Sequence, residues 1–353
     1  MSSSIPEDFA SQLSTQLVIV YPIVSLSATY FVYGFYVLLF GTCVYMMRSR
    51  RQGNERLTRN LYLSLTVALF VFSTAFVVVY TYDVVYESII YFTAAKAQDY
   101  QLLVDYLMFS AEMIVAGSIK LFLAILLNIT AECMLIHRCY LIWGSKKRVA
   151  IPLIIASAIT NVAGLVGATI DTIGDTDSAM SLALYDFGGD ITLAYQIALS
   201  PAMNSILTLL TAGRIWWIHR QVRAHNIHTT SDKLIYSISR IILESGTLYP
   251  VLSIVGLVLK NATTIDALPL DFFPLVTLSA GIAPTLIMVR TKLGKNVESL
   301  QDQVSGTRFT SRPEPREGTT TVSRVPVHSI GNLGMAATES GEGNEERKET
   351  TAV

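Results

Sequence analysis

Asn128 and Glu132 have the residue types and spacing best suited to chemistry inside an apolar environment. They lie four residues apart in a long apolar stretch, so a helix would place both on one face. An ionisable side chain within a membrane span is costly, and it faces the protein interior or water. The pair therefore predicts either an acid that binds a ligand or a cation, or a protonated glutamate that hydrogen-bonds to a neighbouring helix.

Further polar side chains occur in later apolar stretches. Gln196 and Asn204 lie eight residues apart on one face, and Asn161 lies in the middle of its own stretch. If these side chains face inward, they would line an internal cavity. The alternative is that they form hydrogen bonds between helices that serve packing alone. The candidate ligand-binding residues are Asn128, Glu132, Gln196 and Asn204.

A second group of residues could form a switch. Arg138 ends one apolar stretch, and Glu244 lies at a similar depth in another. An ion pair between them would hold two helices together in a resting state, as a two-state element requires. Arg240 lies four residues before Glu244, so the alternative is a pair along a single helix. The candidate switch residues are Arg138, Arg240 and Glu244.

Catalytic constellations are missing from the sequence. His137 lies at the inner end of one apolar stretch, and the other four histidines lie beyond the apolar stretches: His219, His225, His228 and His328. Histidines in these positions do not predict a zinc site. We find no glycine-rich phosphate loop and no nucleophile elbow. The last apolar stretch has no lysine that could hold retinal as a Schiff base. We therefore predict no enzyme activity, catalytic residue, metal, cofactor or nucleic-acid partner.

Composition indicates which elements must position these residues. Of 353 residues, 51% are apolar and only 15% are charged, which is typical of a chain in contact with lipid. A hydrocarbon layer of about 30 Å needs about 20 apolar residues in a helix. The sequence predicts an all-α bundle of seven transmembrane helices in residues 25–290. The predicted spans are 25–47, 61–84, 115–142, 149–170, 191–217, 236–258 and 272–289.

The distribution of charge predicts the orientation of the bundle. Lys and Arg stay in the cytosol, and all but three of the 26 lie on one side of the predicted spans. Residues 1–24 are therefore expected outside and the C-terminus in the cytosol. Trp143, Trp216 and Trp217 lie where helices reach the basic side, and we predict them to be interface anchors. Asn261, in an outside loop, begins a sequon for N-glycosylation.

Residues 291–353 differ in composition from the rest of the chain. They are rich in Ser, Thr, Gly, Glu and Arg and contain almost no aromatic residue. Such a segment cannot bury enough apolar surface to fold alone, so we predict a disordered cytosolic tail. Because no retrieval motif ends the chain, we expect the protein in the plasma membrane.

Four short segments carry a resemblance to a family. They are 138–143 (RCYLIW), 213–217 (GRIWW), 244–249 (ESGTLY) and 281–287 (GIAPTLI). Together they resemble signatures of an expanded group of uncharacterised seven-helix proteins of basidiomycete fungi. The resemblance covers helices three to seven and implies a fungal, receptor-like membrane protein.

The similarity to rhodopsin-like G-protein-coupled receptors is looser. Residues 137–140 (HRCY) are similar to the D-R-Y triplet of those receptors at the end of helix three. Their helix-six C-W-x-P motif, their helix-seven N-P-x-x-Y motif and their outer disulfide are absent, since Cys43, Cys133 and Cys139 all lie in apolar stretches.

Three hypotheses for the function follow. The first is a receptor-like protein that senses a small or lipophilic ligand and signals to a heterotrimeric G protein or another cytosolic partner. The second is a transporter or lipid translocator that uses the intramembrane acid Glu132. The third is a membrane scaffold, and all three share the lipid bilayer as a partner.

Overall fold

The structure is a computed structural model that describes residues 15–49, 56–97, 106, 111–176, 181–224, 243–262 and 269–309. Within these ranges every regular element is a helix and none is a strand. The helices are α1 (Tyr21–Ser49), α2 (Arg56–Ala97), α3 (Ala111–Ile142), α4 (Lys147–Thr176), α5 (Ser181–Ala194), α6 (Ser200–Ala224), α7 (Leu248–Ala262) and α8 (Phe273–Phe309).

Six helical segments in the described part of the chain are long and apolar enough to cross a membrane. Large apolar side chains such as Phe31 and Leu38 lie exposed on the outside of the bundle, as expected where lipid is the solvent. These features confirm the helical, membrane-spanning character predicted from composition. The remaining apolar helical segment, Leu243–Leu259, is shorter, and residues 225–242 before it lie outside the described ranges.

The last helix is the most buried of the long apolar helices. In its most apolar window 72% of the residues are buried, against 22–39% in the other five. Pro274 lies in its first turn, where a missing N–H costs little, and Pro284 lies inside it. Side chains from α1, α2 and α3 pack against this helix in the largest core cluster: Tyr36, Phe76, Tyr80 and Leu127.

Several helices extend beyond the predicted spans. α2 continues to Ala97 instead of ending at 84, and α4 continues to Thr176 instead of 170. α8 continues to Phe309, so residues 291–309, which we assigned to the disordered tail, are helical; the rest of that tail lies outside the described residues. Hydropathy marks where contact with lipid ends, and a polar sequence can continue the helix further.

The fifth predicted span has an irregular centre. α5 and α6 are joined without a break by a π-helical turn, Tyr195–Leu199, and Pro201 follows it. A second π-turn, Gln16–Val20, leads into α1 just before Pro22. Proline lacks an N–H and clashes with the carbonyl four residues earlier in a regular helix, and a π-turn is one way for a helix to accommodate such an irregularity.

Glycines allow α4 and α5 to pack closely. A Cβ atom added to Gly188 would lie 2.5 Å from the backbone nitrogen of Asp171, and one added to Gly167 would lie 2.7 Å from Ile191. Small residues at such contacts are typical of membrane helices, where close backbone approach drives association.

The bundle has two chemically different ends. At the end we call acidic, the Lys120 ammonium pairs with Asp83, and the Tyr80 hydroxyl donates to Asp271 at 3.0 Å. At the end we call basic, Arg214 lies beside Trp143, and Arg290 pairs with a glutamate. The candidate polar residues of the predicted spans lie between these two ends.

Candidate functional site

Glu132 is fully buried, and both of its carboxyl oxygens accept hydrogen bonds. Oε1 accepts from the Asn128 amide at 2.9 Å, one turn earlier on α3. Oε2 accepts from the Ser157 hydroxyl at 2.5 Å and from the Asn161 amide at 2.7 Å, both on α4. Ser157 and Asn161 are four residues apart, so one face of α4 presents both donors to the acid.

Tyr195 closes these contacts into a ring. Its hydroxyl donates to Asn161 Oδ1 at 2.8 Å and accepts from Asn128 Nδ2 at 3.0 Å. Asn128 Oδ1 in turn accepts from the amide of Asn204 on α6 at 3.1 Å. We call these six residues the polar core: Asn128, Glu132, Ser157, Asn161, Tyr195 and Asn204. Because each of them bonds to another within an apolar bundle, the polar core ties α3, α4 and α6 together.

A further hydrogen bond extends from α6 to α7. The hydroxyls of Ser200 and Tyr249 lie 2.6 Å apart, and both residues are buried. Ser200 also accepts, through its backbone oxygen, from Asn204 at 3.1 Å. Tyr249 lies two residues after Thr247, whose N–H donates to the Leu243 carbonyl and whose carbonyl accepts from Val251 N–H, both at 3.0 Å. The network therefore reaches the helical segment Leu243–Leu259.

A cavity of about 540 Å³ lies at the acidic end of the bundle. It lies between α1, α3, α4, α5, α7 and α8 and the π-turn that joins α5 to α6, and its wall is largely apolar. The polar and charged lining residues are Tyr21, Ser118, Lys120, Asp171, Thr172, Gln196, Ser253 and Asp271. An apolar cleft of this size with a few converging polar groups is typical of a site for a small molecule. We call it the outer cavity.

A second, much smaller cavity lies between the outer cavity and the polar core. Its volume is about 40 Å³, enough for roughly one water molecule. Gln196, Phe273 and Val276 line both cavities, and Asn128, Tyr195 and Tyr249 line only the inner one. A molecule in the outer cavity would therefore be separated from the polar core by a single layer of side chains.

The four candidate ligand-binding residues have different environments. Gln196 lines both cavities, and Asn128 borders only the inner one. Glu132 and Asn204 line neither, and both are held in the polar core. The structure therefore places one of the four at the outer cavity, and the other three form hydrogen bonds of the polar core.

Sequence reasoning missed the partners of the polar core. Ser157, Ser200 and Tyr249 were not candidates, and neither was Tyr195. Ser157 could have been predicted from its spacing, because it lies four residues before Asn161, as Asn128 lies four residues before Glu132.

The predicted pair between Arg138 and Glu244 is not formed. Both residues lie in the described part of the chain, where Glu244 instead pairs with Arg290 of α8 at 3.3 Å. Arg290 also donates to the Ser245 hydroxyl at 3.5 Å. Glu244 lies beside α8, so its neighbour is Arg290, directly after the seventh predicted span, and not a residue of the third. Arg240, the other predicted partner of Glu244, lies outside the described residues.

The three tryptophans lie at the basic end with two arginines. The Arg214 guanidinium lies 5.1 Å from the ring centre of Trp143 and 4.4 Å from that of Trp217. Arg220 lies 5.8 Å from the ring centre of Trp216. Two of the family-like segments, 138–143 and 213–217, meet in this contact. Trp216 and Trp217 are about half exposed, which suits the predicted role as interface anchors.

Comparisons with protein families, with curated proteins and with solved structures find no match to this chain. The chemistry of the outer cavity and the polar core is therefore what indicates a function. Among the described residues, no group of three His, Cys, Asp or Glu side chains gathers as a metal site. What the arrangement offers chemically is an amphipathic binding cavity above a hydrogen-bonded junction of four helices.

Proposed function

We propose that this chain is a receptor-like protein of seven transmembrane helices that binds a small or lipophilic ligand in the outer cavity. In this proposal Leu243–Leu259 is part of the sixth crossing, and the acidic end faces outside. Its cytosolic partner would be a heterotrimeric G protein or another protein that meets the basic end. The observation that carries the proposal is the outer cavity, which lies one layer of side chains above the polar core.

Charge supports the orientation in this proposal. The arginines Arg138, Arg214 and Arg290 lie at the basic end, and basic residues remain on the cytosolic side of a membrane. Tryptophan side chains at that end suit the boundary between lipid and water. The resemblance of four segments to seven-helix proteins of basidiomycete fungi agrees with the same topology.

The contacts suggest how a ligand would affect the basic end. A ligand touching Gln196 would press on the inner cavity, which Tyr195 and Tyr249 line. Tyr249 lies in the same helical segment as Glu244, five residues later, and Glu244 pairs with Arg290. A shift of α7 at the cavity would therefore change an ion pair at the basic end. Small helix shifts of this kind belong to the repertoire of switching transitions.

Filling the outer cavity tests whether it holds the ligand. Gly117 lines the cavity, and a Cβ atom added there meets no atom within 4 Å, so Gly117→Leu would place a side chain in the empty space. Gly34→Leu is the matched control, because Gly34 has the same free surroundings on the exposed face of α1. We expect an extract that contains the ligand to raise the Tm of the wild-type chain and of Gly34→Leu in nanodiscs. The same extract should not raise the Tm of Gly117→Leu. An equal rise in all three would reject the cavity as the site.

Proximity labelling from the C-terminus tests the partner. We expect G-protein subunits to be labelled above the level given by an unrelated multi-pass protein in the same membrane. If no subunit were enriched, coupling to a G protein would be rejected, and the other labelled proteins would identify the cytosolic partner.

The transporter and scaffold hypotheses stay predictions. Both oxygens of Glu132 are occupied by hydrogen bonds, and the side chain lines neither cavity, so no observation favours a transport role for this acid. Flux of a solute or lipid in reconstituted vesicles that disappears on Glu132→Gln, with the fold retained, would favour transport over reception.

A further inference from the structure

We infer that the basic end of the bundle binds the head group of an anionic phospholipid at the Arg214 guanidinium. This inference goes beyond the proposed function, because it does not depend on a ligand in the outer cavity. It is carried by the tryptophan rings that hold Arg214, by two buried N–H donors without an acceptor in the described part of the chain, and by the exposed basic side chains beside them.

Two tryptophan rings hold Arg214 at the basic end. Its guanidinium carbon lies 4.4 Å from the ring centre of Trp217, on the same helix, and 5.1 Å from that of Trp143, directly after α3. Both distances are typical of cation–π contacts. Such contacts restrict the motion of a flexible side chain and leave its positive charge in place. Because Arg214 is partly exposed, the rings present a positioned cation at the surface of the bundle.

The charge and the buried donors of this contact are not satisfied within the described part of the chain. Arg214 forms no ion pair with a described acid, and Glu244, an acid at the same end, pairs with Arg290. The Arg214 Nε atom is buried and donates to no acceptor among the described residues, and the same holds for Trp143 Nε1. Buried donors are normally satisfied by the protein or by a group bound to it. An oxyanion bound beside Arg214 would supply acceptors to this contact.

Further basic side chains lie exposed beside Arg214. Three of them follow one another where the chain passes from α3 to α4: Lys146, Lys147 and Arg148. This connection lies close to the end of α6, because Trp143, Val149 and Ile215 all pack against one core cluster. The connection therefore adds three positive charges to the one that the rings hold. Clustered basic side chains at the end of a membrane span are typical of sites for anionic lipid head groups.

The position of the site indicates that the occupant is a lipid. Trp216 and Trp217 are exposed, and they follow exposed apolar side chains of the same helix, Ile206 and Leu209. Tryptophan at the end of an apolar span lies at the depth of phospholipid head groups. At that depth the abundant oxyanion is the head-group phosphate. Phosphatidylcholine carries its own ammonium group beside the phosphate, whereas phosphatidylglycerol has a net negative charge, so the site should prefer phosphatidylglycerol.

Tryptophan fluorescence measures this preference at the site, because the three tryptophans of the chain all lie at the basic end. The full chain is placed in nanodiscs of phosphatidylcholine with a minority of phosphatidylglycerol. Bromine in an acyl chain quenches a tryptophan only at short range. In one preparation only phosphatidylglycerol is brominated, and in a second of the same composition an equal amount of phosphatidylcholine is. We expect the quenching to show that phosphatidylglycerol binds at least about fivefold more tightly, the effect of one basic side chain near a membrane surface.

Charge-removing variants then assign the preference to the site. We expect Arg214→Gln to reduce the preference for phosphatidylglycerol about fivefold. The double variant Lys147→Gln, Arg148→Gln should reduce it at least about twofold, and it tests the site even if Arg214→Gln does not fold, because both side chains are exposed. Arg48→Gln is the matched control, since Arg48 is an exposed arginine in the last turn of α1 and not on α6. This variant should keep the full preference.

Three results would overturn the lipid site. The first is equal quenching by the two brominated lipids in the wild-type chain. The second is an unchanged preference in the charge-removing variants, or an equal loss in Arg48→Gln, which would assign the preference to the overall surface charge. The third is loss of the preference when inorganic phosphate is added at constant ionic strength, which would assign the site to a soluble anion. None of these results affects the Tm test of the outer cavity, so this inference and the proposed function can fail separately.

Discussion

Replacing Glu132 with leucine should be one of the most destabilising single changes in the membrane part of this protein. The carboxyl group accepts three hydrogen bonds, from Asn128, Ser157 and Asn161. In membrane proteins such bonds contribute about 0.6 kcal/mol each on average, so their direct loss costs about 2 kcal/mol. Leucine has a similar size, so the change removes an acceptor from buried donors without leaving a large empty space.

The cost of unpaired donors can be worked out donor by donor. The Asn161 amide keeps the Ser157 backbone oxygen at 2.8 Å, and the Asn128 amide keeps the Tyr195 hydroxyl at 3.0 Å. Only the Ser157 hydroxyl loses every acceptor it donates to, at about 1–3 kcal/mol for a buried group. The total for Glu132→Leu is therefore about 3–5 kcal/mol. Glu132→Gln keeps one oxygen acceptor and should cost about 1 kcal/mol.

Reversible unfolding in mixed micelles, followed by circular dichroism, measures these differences. A double variant with Asn161→Leu completes a mutant cycle. We expect it to cost less than the sum of its two single changes, because each single change by itself already removes the hydrogen bond between Asn161 and Glu132. If Glu132→Leu were within about 0.5 kcal/mol of the wild type, or if the glutamine variant lost as much as the leucine variant, the hydrogen bonds of the polar core would not be what joins α3 to α4.

Three further predictions use the same unfolding assay. Gly246→Ala would place a Cβ atom 2.4 Å from the Thr208 methyl group and should cost about 1–3 kcal/mol of stability. Adding Thr208→Ala to the same chain should restore most of that stability. If it restores none, the clash is not the cause. Tyr195→Phe removes the hydroxyl that closes the ring and should cost about 1 kcal/mol, whereas a stabilising effect would contradict the bonding described. Glu244→Gln breaks a partly exposed pair with Arg290 and should cost less than about 1 kcal/mol, so a larger loss would indicate a role beyond that pair.

The polar core could be predicted in part because a polar amide or acid stands out in an apolar stretch. Asn128, Glu132, Asn161 and Asn204 were all found this way. Ser157 was not, because serine and threonine in these helices commonly bond a carbonyl of their own helix, as Thr130 bonds Leu126. Their residue type therefore does not distinguish a side chain that reaches another helix from one that does not.

Tyr195 was missed for a geometric reason. Nine residues of regular α-helix turn through about two and a half turns, so Tyr195 and Asn204 would lie on opposite faces. The π-turn Tyr195–Leu199 adds about one residue to the turn between them, which rotates Tyr195 toward the face that meets α3 and α4. A regular helical periodicity applied across the region of Pro201 leaves out this rotation and therefore assigns Tyr195 to the wrong face.

The Arg138–Glu244 prediction was wrong because residue number fixes depth but not the neighbour. Both residues lie near the basic end, as their positions in the predicted spans indicated. Which helix faces Glu244 depends on how α7 packs after the turn at Thr247, and the side chain faces Arg290 of α8. Helix ends were missed for a related reason: α2 continues past its predicted end at 84, where tertiary contacts such as Tyr86 with Glu112 hold it.

The length of α2 has a practical consequence for imaging. Its 42 residues span about 63 Å, roughly twice the hydrocarbon layer, so the helix must project well beyond a detergent micelle or bilayer. Contacts from Asp83 to Lys120 and from Tyr86 to Glu112 fasten it to α3 near the acidic end. A small multi-pass protein usually lacks a rigid landmark for aligning particles in electron cryomicroscopy. An antibody fragment raised against this projecting rod would provide one without touching the cavity.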